Sequence, residues 1–183
     1  MENTMQIGIS EDFPEDVTES LKTATQFYMD LLLPKYLQQG IYIDVELSPE
    51  INAQGLAYPD DLDEEDDEPY SFTVDLRCHA DDDDIFQTLA HELVHIKQYI
   101  KGELRTAEPL VAIGSKQKDH NTEKEDTYWY GKLWTPAPNE DGYFAAPWEI
   151  EAFGREVGLY ARWLDHYEEK TRTKNNSDIM PCL

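Results

Sequence analysis

Two shortages frame this sequence. Cysteine occurs only at Cys78 and Cys182, too few for a disulfide framework and in keeping with a reducing compartment. Basic residues are the other: 15 Lys and Arg stand against 39 Asp and Glu, a formal net charge of −24 at pH 7. Phosphate binding needs clustered cations, so this balance argues against nucleic acid or an anionic membrane as a direct partner. No apolar run approaches the ~18 residues of a membrane span. The acidic start, Met1 to Asp16, lacks the basic and apolar regions of a signal peptide. A cytoplasmic, non-secreted protein is the expectation. Acid spread along the chain serves solubility and would also steer a basic protein partner or substrate.

What is present supports a core. The chain has 183 residues, 40% of them apolar, with four Trp and eleven Tyr. That fits one domain, placed at residues 1–170, with a frayed tail at 171–183. Ile7-Gly8-Ile9 reads as a brief strand. A helix from about Pro14 to Gln39 carries Leu21, Ala24 and Leu31 at helical spacing, with Pro34 kinking it or starting a separate last turn and Gly40 stopping it. Ile41 to Leu47 and Tyr70 to Cys78 read as strands. Between them, residues 48–69 read as a loop. Its acidic run, Asp60 to Glu68, suits a solvated segment and lacks the glycine and spacing of an EF-hand calcium loop.

A buried helix is expected from Ile85 to about Lys101, since its apolar residues wrap much of the cylinder. Asp84 is its expected N-cap, Gln87 the capping-box partner and Gly102 the stop. Residues 102–126 carry little pattern. Thr127 to Trp134 reads as a strand or hairpin arm and Gly142-Tyr143-Phe144 as the returning arm. Pro147 opens a last helix, to about Lys170.

The first of these two helices holds His91-Glu92-Leu93-Val94-His95. Residues four apart on a helix lie one above the other, so His91 and His95 can aim two imidazoles at one metal ion. Glu92 is placed to reach a metal-bound water. A catalytic zinc usually has three protein ligands, so a third is needed. The last helix offers two glutamates on different faces. Glu149 shares a stripe with Ala152, Phe153, Val157, Tyr160, Trp163 and Leu164. Glu151 shares one with Gly154, Arg155, Gly158 and Arg162. A carboxylate on a core stripe is costly unless paired or metal-bound. Glu149 is therefore the expected third ligand, the alternative being a buried glutamate paired with Arg or Tyr. Glu151 is the expected surface partner of Arg155. His79, His120 and His166 compete weakly as ligands, His166 lying near the stripe of Trp163 and Tyr167.

At these residues the chain resembles the gluzincin-type metallopeptidases, in which a His-Glu-x-x-His helix supplies two ligands and the base and a later helix supplies a glutamate. Glu149-Ile150-Glu151-Ala152 matches the Glu-x-x-Ala pattern of several such families. More narrowly, His91 to Tyr99, the Tyr-Gly-Lys stretch and Pro147 to Ala152 look like small phage and bacterial proteins of this type. The likeness spans roughly residues 70–165. It implies an α+β, zincin-like domain with an N-terminal helix, a small sheet, the active-site helix and a C-terminal helix carrying the third ligand. It also implies one zinc and a peptide or protein substrate. Glu92 would be the general base, with Tyr143, Tyr160 or His166 as oxyanion donor and Glu156 as a partner orienting the imidazoles. Peptide substrates of this class pair with an edge strand, here expected to be Tyr70–Cys78. The competing expectations are an acidic binding or inhibitor protein of phage or DNA-mimic type, and a structural zinc protein without turnover.

Overall fold

Period-two alternation builds the main sheet. In the computed structural model, which describes residues 4–60, 70–77, 82–107, 126–135 and 142–177, β2 (Tyr42–Leu47) buries Ile43 and Val45 and turns Tyr42, Asp44 and Glu46 outward. β4 (Ser71–Leu76) buries Phe72, Val74 and Leu76. The two are parallel, with Ile43 beside Phe72 and Val45 beside Val74. β1 (Gln6–Ile9) adds to β2 in parallel. β3 (Gly55–Pro59) adds to β4 antiparallel, and the strand order is β1-β2-β4-β3.

The expected loop over 48–69 therefore contains a strand. Its Gly and Pro residues disguise it, and both are tolerated because β3 stands at the sheet edge. The expected peptide-pairing edge, Tyr70–Cys78, is corrected with it. β4 lies between β2 and β3, so its ladder is filled on both sides and, among the described residues, the edge strands of this sheet are β1 and β3. Of the acidic run, Asp60 is described: it accepts hydrogen bonds from Ser71 Oγ and from Thr73 Oγ1, the latter at 2.7 Å. Residues 61–68 lie outside the described residues, as do Cys78, His79, His120 and Cys182.

Three helices complete the core. α1 (Glu15–Leu32) ends earlier than its apolar spacing implies. Pro34 starts a separate 3-10 turn, Lys35–Leu37, and Gly40 follows at φ 77°. α2 (Asp82–Ile100) touches α1, α3, β3, β4 and β5, and every residue from Leu89 to Gln98 is buried. It begins two residues before Asp84, so Asp84 lies inside the first turn, not at the cap. Gln87 does not close a capping box either: its Nε2 donates to Glu156 Oε1 at 2.9 Å. Gly102, at φ 63°, ends the helix region.

A second, antiparallel sheet, β5 (Leu104–Ala107), β6 (Asp126–Trp129) and β7 (Lys132–Leu133), follows. Tyr130 and Gly131, at φ 48° and 72°, form the two-residue turn between β6 and β7. The hairpin thus closes within Thr127–Trp134, and residues 142–146 form turns instead of the expected returning arm. Trp129 and Trp134 pack against Trp148, with ring centroids 6.3 and 5.8 Å away. α3 (Pro147–Ser177) is helical through residues expected to fray. Its buried stripe is Glu149, Ala152, Leu159 and Trp163, with Glu156 beside it. Phe153, Val157 and Leu164, expected in the core, are exposed. The structure is thus α+β. Among the described residues, no helix is long and apolar enough to cross a membrane.

One buried ion pair ties the second sheet to α2. Glu103 accepts from Lys97 Nζ and Lys101 Nζ, each at 2.5 Å. Burial alone would raise the Glu103 pKa, but the two ammonium groups more than offset it and hold the carboxyl below its ordinary 4.5. A lowered folded-state pKa adds stability above the unfolded pKa and loses it as pH falls through the folded one. Glu103→Gln should therefore flatten the decline of unfolding free energy below about pH 4.5, checked by urea denaturation across pH.

Candidate metal centre

The i,i+4 spacing puts His91 and His95 on the α2 face that meets α3. Both are buried, as is Glu149 in the first turn of α3. The three converge: His91 Nε2 and His95 Nε2 are 3.2 Å apart, and Glu149 places Oε2 3.3 Å from the first and Oε1 3.6 Å from the second.

The outward nitrogens set the tautomers. His91 Nδ1 lies 2.7 Å from Glu156 Oε2, and His95 Nδ1 lies 2.9 Å from Gln98 Oε1. Both partners offer acceptor oxygens, so each Nδ1 donates and each Nε2 is free to turn a lone pair inward. Two such lone pairs and a carboxylate then face one small volume. Among the described residues, Glu149 Oε2 is buried without a well-aligned hydrogen bond. A cation resolves this arrangement. An ion bonded tetrahedrally at ~2.0–2.1 Å holds its ligand atoms about 3.3 Å apart, close to the spacing found. The buried His91, His95 and Glu149 group can hold a metal ion.

Charge follows the geometry. Burial alone would raise Glu149, but the facing imidazoles hold its carboxyl at about 2. Burial alone would lower His91, yet Glu149, Glu92 and Glu156 leave it raised. Burial pushes Glu92 up to about 6 despite the opposing pull of the two histidines and of the Ala57 backbone N–H. Glu92 thus reaches β3, where Gly55 makes room: a Cβ there would stand 2.7 Å from Glu92 Oε1 and from Thr88 Cγ2.

A cleft of about 540 Å³ opens onto His91 and Glu92, walled by Asn52, Gln54, Gly55, Tyr143, Phe144 and Phe153. Phe153 packs edge-on to the His91 ring at 4.6 Å. Tyr143 faces Glu149, and its hydroxyl pKa is raised, by burial first and then by the Glu149 and Glu92 charges. Of the three expected oxyanion donors, only Tyr143 borders this cleft. Tyr160 packs against the hydrophobic core, and His166 stacks on Phe27 at 4.5 Å, lining a different groove.

Glu156 takes the orienting place expected of it. Glu151 pairs with Arg155 at 2.9 Å as its spacing implies, but it also turns inward to Lys97 at 2.8 Å, so its reading as a plain surface residue is corrected. From sequence, Gln87 has only a capping role, and Gln98 and Gly55 have none. Gln87 and Gln98 sit one turn before His91 and three residues after His95, spacings at which helical side chains meet.

The chain matches no family model, no curated protein and no solved structure. Outer partners of ligating histidines commonly contribute 10- to 100-fold in metal affinity. Glu156→Ala should weaken metal binding by about that factor, measured by competition with a chromophoric chelator.

Proposed function

We propose that the protein is a zinc-dependent peptide hydrolase with a zincin-like domain. The observation that carries the reading is the placement of Glu92. A buried carboxylate stands beside a His-His-Glu group and lines a cleft that also takes in Gly55 of an antiparallel edge strand.

His91, His95 and Glu149 would hold the ion, and two nitrogens with one carboxylate oxygen form a donor set suited to zinc. Bound zinc supplies Lewis acidity, which lowers the pKa of water toward 7 and polarises a carbonyl. Glu92 is the general base: it accepts a proton from the attacking water and passes it to the leaving amine. The Ala57 N–H and the space at Gly55 hold its carboxylate in place. Tyr143, protonated at neutral pH like any tyrosine, would turn its single O–H from Glu149 to donate to the oxyanion that develops on the carbonyl. β3, an edge strand among the described residues, would pair with an extended peptide through backbone groups other than the Ala57 N–H. The acidic surface would attract a basic substrate protein.

Purified protein should contain about one zinc per chain. Glu92→Gln should keep the metal and lower cleavage of a peptide library by about 10²- to 10⁴-fold. If His91→Ala and His95→Ala bind zinc as tightly as the wild type, the proposal fails.

Gly55→Ala gives a separate check. Its methyl would force the Glu92 carboxylate aside while leaving all three ligands untouched. Turnover should fall at least tenfold with zinc affinity unchanged. Equal losses in both would place Gly55 in general folding instead.

A further inference from the structure

We infer that Gln98 is a positioning residue that fixes two of the three ligands at once, and that Glu151 acts through it. The inference rests on the metal reading of His91, His95 and Glu149. Gln98 is fully buried in the last turn of α2, and its amide is used on both sides. Oε1 accepts from His95 Nδ1 at 2.9 Å. Nε2 donates to the carbonyl oxygen of Trp148 at 3.0 Å and to Glu151 Oε2 at 3.1 Å.

This pattern fixes the amide orientation. Turning it over would set an NH₂ group against the Nδ1–H of His95 and leave two acceptors without their donor. The acceptor oxygen is therefore always presented to His95, and the His95 lone pair is always presented to the site. Trp148 directly precedes Glu149, so the bond to its carbonyl also fastens the peptide that carries the third ligand.

Glu151 holds Gln98 and is itself held. Lys97, whose side chain is 6% exposed, donates to it at 2.8 Å, and Arg155 donates at 2.9 Å. His95 is thus oriented by an amide on its own helix, whose direction α3 imposes. His91 is oriented by α3 directly, through Glu156. Each histidine takes its orientation from the helix that brings Glu149, so docking α3 assembles the ligand set in one step.

Zinc affinity by chelator competition and the visible spectrum of the cobalt-loaded protein test this. Gln98→Leu, close to glutamine in volume, should bind zinc about 10- to 100-fold more weakly and show an altered cobalt spectrum. Glu151→Ala, at a less buried position, should weaken binding in the same direction by a smaller factor, and it serves if Gln98→Leu does not fold. In the Gln98→Leu background, Glu151→Ala should add no further loss, the signature of action through one intermediary. A purely structural role would instead lower the metal-free melting temperature and leave zinc affinity alone. If the wild type binds no zinc, the metal reading falls, and this inference with it. If the wild type binds and both single variants match it within twofold, or their losses multiply in the double variant, this inference alone is overturned.

Discussion

Lone pairs that face one another inside a protein repel unless a proton or a cation stands between them, and this chain is organised around such a place. Two imidazole nitrogens and a carboxylate meet within 3.2 to 3.6 Å of one another, all three residues buried. Burying a carboxylate without compensation costs several kcal/mol. The cost is spread over several elements. Glu156 and Gln98 take the outward N–H groups, β3 takes part of the Glu92 charge, and the hydroxyl of Tyr143 reaches Glu149.

The architecture serves that arrangement through α2. A helix buried on nearly every side can carry polar residues only where another group answers them, and three neighbours do so here. α3 answers the histidines, β3 answers Glu92, and Glu103 at the start of the second sheet answers Lys97. The large acidic excess is thus not confined to the surface. Several of the carboxylates are structural counter-charges inside the fold, matched by a few buried cations and imidazoles. The outward side chains of β2 are Tyr42, Asp44 and Glu46, so that strand buries apolar groups on one face only.

Helical periodicity made much of the site legible. His91, Glu92 and His95 follow from spacing, and Glu149 follows from the cost of a carboxylate on a buried stripe. The details of that stripe did not follow. Phe153, Val157 and Leu164 look like core by hydrophobicity, yet the buried row of α3 is Glu149, Ala152, Leu159 and Trp163. Hydrophobicity alone does not say which of two adjacent rows a neighbouring helix will cover. β3 was hidden because Gly55 and Pro59 are poor strand residues, and only the edge position and the need for space beside Glu92 make them suitable. Glu151 reads from sequence as a surface partner of Arg155 and Gln98 carries no signal, because their role depends on contacts across 50 and 53 residues that no local pattern encodes.

The two ligand-bearing helices lie far apart in the chain, and this gives the protein a timetable. His91 leaves the ribosome 65 residues before Glu156, a delay of about 3 to 13 s at ~5–20 residues per second. Once α2 is complete, the main sheet, α1 and α2 are already synthesised, with two histidines on a helix face that α3 does not yet cover. A chain interrupted between His95 and Glu149 carries two of the three ligands and none of the groups from α3 that orient them. Whatever chemistry the finished site performs, the nascent protein cannot begin it early.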